Sequence, residues 1–146
     1  MNFPILSSLI LLPIIGSLFL LFSKDKNSNT GKYVALFTSF VNFLISIYLW
    51  YQFDPTTSDF QFVEDREWLK GFINYKVGID GISILFIVLT TLITPLCIIS
   101  VNNTIKDRLR DFLIAILVME SLMIGVFCSL DLVIFYLFFE AGLIPM

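Results

Sequence analysis

Five long apolar runs divide this chain, and all nine of its lysines and arginines fall between them. A helix that crosses a bilayer needs ~20 consecutive, mostly apolar residues. Phe3–Phe22, Tyr33–Phe53, Ile82–Val101 and Phe112–Leu130 each meet that requirement. The fifth run, Leu132–Met146, has 15 residues. At ~1.5 Å per residue it reaches ~22 Å, short of a ~30 Å hydrocarbon core. The expectation is an all-α polytopic membrane protein, one membrane domain over 1–146. It has five transmembrane helices, the last incomplete.

Composition supports that class and excludes others. Hydrophobic residues make up 58% of the chain and charged residues 14%, whereas soluble domains carry about 25% charged residues. The net charge of −3 comes with no basic patch, so nucleic acid is not an expected partner. Histidine is absent, and Cys97 and Cys128 each sit inside an apolar run. Neither a disulfide framework nor a metal or iron–sulfur site is expected, and no cofactor is assigned to this chain. Chemistry here must use carboxylates, lysines, hydroxyls or water. The chain turns apolar at Phe3 with no preceding basic residue, unlike a secretory signal or an organellar presequence. The first helix is therefore expected to be retained, in a protein that is bacterial or made inside its organelle.

The basic residues set an orientation. Lys24, Lys26 and Lys32 follow the first run, and Lys106, Arg108 and Arg110 follow the third. Short basic loops stay on the cytoplasmic or matrix side, which puts both inside. The segment Asp54–Gly81 carries Arg66, Lys70 and Lys76 against six carboxylates and falls outside, with the N-terminus. Within it Phe60 and Phe62, then Ile73, Tyr75, Val77 and Ile79, alternate with polar neighbours. That period predicts a β-hairpin on the outer face, turning at the polar stretch Glu64-Asp65-Arg66-Glu67. Asp80 or Ser83 is positioned to cap the third helix.

Past Asp111 the chain has no basic residue, yet it holds Glu120, Asp131 and Glu140. Asp131 falls at the turn between the last two helices and reads as a helix cap. Glu120 and Glu140 differ in kind. Each is about ten residues from that turn, hence ~15 Å deep, close to the bilayer centre. A charge there costs at least ~2.5–3.5 kcal/mol, so each carboxyl must be neutral or paired and must face protein or water. Two readings follow: hydrogen-bonding glue between helices, or a relay that binds and releases protons. Pro145 withdraws a donor from the carbonyl of Ala141 and loosens the helix just beyond Glu140. Gly142 would admit a neighbouring helix. Pro95, with Thr91 and Thr94 available to satisfy freed carbonyls, would bend the third helix.

The stretch Leu130-Asp131-Leu132-Val133-Ile134-Phe135-Tyr136-Leu137-Phe138-Phe139-Glu140-Ala141-Gly142-Leu143-Ile144-Pro145-Met146 closely resembles the subunit 4 family of NADH:ubiquinone oxidoreductase, respiratory complex I. So do Val77-Gly78-Ile79-Asp80-Gly81-Ile82-Ser83, Leu89-Thr90-Thr91-Leu92-Ile93-Thr94-Pro95-Leu96-Cys97-Ile98 and Met123-Ile124-Gly125-Val126-Phe127. The resemblance implies an antiporter-like membrane-arm subunit that translocates protons without touching NADH or quinone. It implies that Glu140 is the essential channel residue and that Glu120 is a second acidic residue on the path. The expected location is the mitochondrial inner membrane, organelle-encoded, or else a bacterial plasma membrane. Expected partners are the other membrane-arm subunits and membrane lipids. A second polypeptide or a missing C-terminal part is expected to complete helix 5 and supply a lysine facing Glu140. Two rivals stay open, a subunit of a multisubunit cation/proton antiporter and a structural membrane anchor.

Overall fold

A computed structural model of the chain describes residues 4–23, 29–101, 105 and 107–146. Its elements are α1 (Ile5–Phe22), α2 (Asn29–Gln52), β1 (Gln61–Leu69), β2 (Ile73–Ile79), α3 (Gly81–Ser100), α4 (Leu109–Cys128) and α5 (Leu132–Leu143). The first four helices have 18, 24, 20 and 20 residues, long and apolar enough to cross a membrane. α5 has 12 residues, about 18 Å of helix. α4 is the hub: it packs against α1, α2, α3 and α5.

Two helices begin earlier than the apolar runs predict. Lys32 lies in the first turn of α2 and Arg110 in that of α4, where loop residues were expected. Long basic side chains can lay apolar stems along a helix, so a helix can extend past the hydrocarbon boundary and still carry them. The Arg110 guanidinium donates to the carbonyl of Ser23, the residue that closes α1, at 3.0 Å. This ties the start of α4 to the end of α1. Lys24, Lys26 and Lys106, assigned to the same end, lie outside the described residues.

The bundle is packed for lipid. Side chains such as Ile15, Phe19, Phe37, Phe40, Tyr48, Leu85, Leu96 and Phe139 point outward. In lipid no hydrophobic force pulls helices together, so close contact relies on small residues. Gly125 shows this: a Cβ there would lie 2.7 Å from the ring of Phe138, and only its absence lets α5 seat on α4. Gly142, expected to admit a neighbouring helix, instead faces open space. Inside, two apolar clusters sit at opposite ends. One gathers Leu6, Leu9, Leu49, Ile84, Ile87, Ile124 and Cys128 with Val77 and Ile79 of the hairpin. The other holds Leu20, Ala35, Ile98, Leu113 and Leu117.

β1 and β2 form the expected antiparallel hairpin, but its turn is elsewhere. Glu64, Asp65, Arg66 and Glu67 lie within β1, opposite Val77, Lys76, Tyr75 and Asn74. Their polarity serves a water-facing strand, with Lys76 pairing across to Asp65 at 4.0 Å. The reversal falls at Lys70-Gly71-Phe72, where Gly71 takes φ +90°, a conformation that glycine adopts at no steric cost. The hairpin docks on the bundle end. Leu130 N–H donates to the carbonyl of Lys76 at 2.9 Å, joining the α4–α5 turn to β2.

Candidate functional site: a buried polar layer and an outward glutamate

Between the two apolar clusters every spanning helix contributes polar side chains. These are Ser17 on α1, Ser39, Asn42 and Ser46 on α2, Thr91 and Thr94 on α3, and Glu120 and Ser121 on α4, all buried. On α2 the buried set Ala35, Ser39, Asn42, Ser46, Leu49 recurs every three or four residues, so one face turns inward. Small polar residues occupy it because large apolar ones are cheaper against lipid.

Glu120 stands at the centre, 2% exposed. Asn42 Nδ2 donates to its Oε1 at 3.0 Å across the α2–α4 interface. The neighbouring Ser121 hydroxyl donates to the carbonyl of Ile10 at 2.5 Å. That carbonyl lies next to the one from which Pro13 withdraws its donor, on the tightly packed side of α1. The hydroxyls of Ser46 and Thr91 meet at 2.7 Å between α2 and α3. One interhelical hydrogen bond in a membrane is worth ~0.6 kcal/mol on average. A buried charge costs ~2.5–3.5 kcal/mol or more. The Asn42 bond therefore does not offset an ionised Glu120 by itself.

Glu140 is placed differently. Ile134 is the buried residue of α5, and Glu140 is exposed on its outer side. Glu120 lies eight residues before the end of α4 and Glu140 eight residues after the start of α5. Both are thus ~12 Å from the turn along their axes, slightly shallower than expected but at matched depth. The structure sets them on adjacent helices and does not join them in one hydrogen-bonded group. Among the described residues the ion pairs are Lys76–Asp65 and Arg110–Asp111, and neither includes these glutamates.

The caps and prolines complete the account. Asp131 Oδ1 accepts the N–H of Val133 at 2.8 Å and caps α5 as expected. Asp80 caps α3 by accepting Ser83 N–H at 2.7 Å, and that bond holds its carboxyl below the usual carboxylate range. Pro145 lies beyond the last turn of α5, where Ile144 N–H reaches the carbonyl of Ala141 at 3.2 Å. Thr91 and Thr94 bond the carbonyls of Ile87, Val88 and Thr90, not the Thr91 carbonyl that Pro95 leaves without a donor. α3 nevertheless runs unbroken through Pro95.

One contact had no counterpart in the sequence reading. α1 has no side-chain cap of its own, since Pro4 precedes it. Glu64 of the hairpin supplies one, accepting Leu6 N–H at 2.9 Å and Ser7 N–H at 3.3 Å, with the Ser7 hydroxyl also donating to it. The missing local cap was the available signal, because orphan N–H groups at a helix start need acceptors from somewhere.

A bundle of four long apolar helices with two glutamates at matched depth, one buried in a polar layer and one facing outward, belongs to the class of polytopic membrane proteins. Comparison with known proteins makes this specific. The family model for NADH-ubiquinone oxidoreductase chain 4, amino terminus, matches residues 6–126, and the chain belongs to that family. It is 46% identical over 142 residues to NADH-ubiquinone oxidoreductase chain 4 of Marchantia polymorpha, covering 97% of this chain and 29% of that protein. It is 55% identical over 122 residues to NADH-quinone oxidoreductase subunit M of Rhodobacter capsulatus, covering 84% of this chain and 23% of that protein. Subunit M of Rickettsia prowazekii is 43% identical over 150 residues, covering 100% of this chain and 30% of that protein. The chain therefore spans less than a third of the length of these relatives.

Proposed function

We propose that this chain is the N-terminal part of a proton-translocating membrane-arm subunit of NADH:ubiquinone oxidoreductase, and that Glu140 and Glu120 carry protons in it. The observation that carries the reading is the polar layer. Four helices spend small polar side chains around a carboxyl that is 2% exposed at mid-span, where a charge is expensive. A carboxyl that gains and loses a proton there needs a polar neighbour, and Asn42 provides one at 3.0 Å.

On this reading the complex oxidises NADH and reduces quinone elsewhere, and this chain contributes to proton movement. Its partners are the other membrane-arm subunits and the surrounding lipid. The exposure of Glu140 supports a protein partner on α5, since a mid-span carboxylate facing lipid would carry the full burial cost. Two apolar grooves flank α5: one of about 640 Å³ lined by Phe86, Met123 and Phe139, and one of about 720 Å³ lined by Leu11, Leu122 and Leu137. The rest of the subunit, as a second polypeptide or a continuation of this one, would fill them and bring a lysine to Glu140. On this reading the site of action is the mitochondrial inner membrane, with the N-terminus on the intermembrane side. A bacterial plasma membrane is the alternative, given the subunit M relatives.

Affinity purification of the tagged chain from native membranes tests the assembly. NADH:quinone reductase activity should co-purify with the tag. Recovery of the chain intact but free of that activity would overturn the reading.

A further inference from the structure

We propose that Asn42 is a positioning residue that partners Glu120 in both of its protonation states by reversing its side-chain amide. This rests on the reading that Glu120 carries protons. An asparagine amide holds two donors and an acceptor on one planar group, whereas a carboxyl that takes a proton gains an O–H donor at one oxygen and keeps an acceptor at the other. In the structure Asn42 Nδ2 donates to Glu120 Oε1 at 3.0 Å, the arrangement that suits an unprotonated oxygen. A half-turn about the last torsion brings Oδ1 to the same place, ready to accept an O–H from Glu120. That torsion is broad and roughly two-fold in asparagine, so the turn needs little strain.

The surroundings leave the amide free to turn. Asn42 Oδ1 and Glu120 Oε2 are both buried and neither has a protein hydrogen-bond partner. Every other polar side chain near them is committed: Ser121 to the carbonyl of Ile10, and Ser46 and Thr91 to each other and to their own helices. A purely structural bond would need one orientation and would gain from anchoring Oδ1. Here Oδ1 is unanchored. A partner that bonds in both states keeps either from being left with an unsatisfied polar group in the interior.

Infrared difference spectroscopy on the assembled enzyme, between the two protonation states of Glu120, tests this. The carboxyl band of Glu120 is the one that Glu120→Gln removes. In the intact enzyme a side-chain amide band, identified by carbon-13 labelling of asparagine, should change together with it. Asn42→Ser shortens the side chain out of reach and keeps a small polar residue there, like the serines already in this face. In that variant the carboxyl band should shift to higher frequency and the asparagine band should vanish. An unmoved carboxyl band in Asn42→Ser, or no labelled asparagine band in the unaltered enzyme, overturns the proposal while leaving proton carriage by Glu120 intact. The reverse also separates: paired bands in the unaltered enzyme, together with full proton translocation by the Glu120→Gln enzyme, would retain the amide partnership and remove Glu120 from the relay.

Discussion

Glu64 accepts the backbone N–H of Leu6 at 2.9 Å, so the first turn of α1 is capped by a residue 58 positions away in the hairpin. Hydrogen bonds to a charged acceptor are worth ~1.5–3 kcal/mol, and helix caps ~1 kcal/mol. Glu64→Ala should therefore destabilise the purified protein by about 1–2 kcal/mol, read as an earlier thermal unfolding of the bundle. Glu64→Gln keeps one acceptor and should lose less. Equal stability of Glu64→Ala and the unaltered chain would show that the hairpin does not hold α1.

A second prediction concerns pH at the start of α3. Ser83 N–H lowers the Asp80 carboxyl relative to its unfolded value of ~3.9. For a lowered acid, the stabilisation is complete above the unfolded value and is lost as pH falls through the folded one. Capping of α3 should thus be constant from neutral pH down to about pH 4 and fail only below it. Asp80→Asn retains a capping oxygen and should remove that acid sensitivity. Hydrogen exchange of the Ser83 amide across this range reads it directly.

Gly125→Ala is expected to push α5 away, because the new methyl would lie 2.7 Å from the Phe138 ring. Overpacking of this kind costs about 1–3 kcal/mol. Phe138→Ala removes the obstacle, so the double variant should recover much of the loss. Additive losses would mean that the two side chains do not meet.

The arrangement of the ends predicts opposite labelling. α1 starts, the hairpin docks and the α4–α5 turn falls at one end, while the Arg110–Ser23 bond marks the other. With Lys32, Arg108 and Arg110 near that second end, a cysteine at Asp107 should react from the matrix or cytoplasmic side. A cysteine at Thr57 should react from the opposite side. Labelling of both from one face would contradict the orientation.

Much of this was legible in the sequence because lipid imposes coarse rules. Run length fixed the four spans to within a few residues, and Asp80 and Asp131 announced two helix starts by their chemistry. The starts of α2 and α4 were not legible, since Lys32 and Arg110 read as loop charges although both lie in a first helical turn. The hairpin turn was misplaced for a related reason: Glu64 to Glu67 look like a polar turn, yet Glu64 serves α1 and Asp65 serves Lys76. Glu120 and Glu140 stood out as misplaced charges. Asn42 did not, because an amide in an apolar run is unremarkable until its inward face, shared with Ser39 and Ser46, is matched to a partner on another helix.

The central claim is that the mid-span carboxyls carry protons, and Glu140→Gln in the assembled enzyme tests it most directly. The amide keeps the shape and hydrogen-bonding capacity of the side chain but cannot hold the transferred proton. NADH-driven proton uptake into vesicles should fall at least tenfold while the complex stays assembled, and Glu120→Gln should fall less. Proton uptake at the unaltered rate in fully assembled Glu140→Gln enzyme would contradict the account.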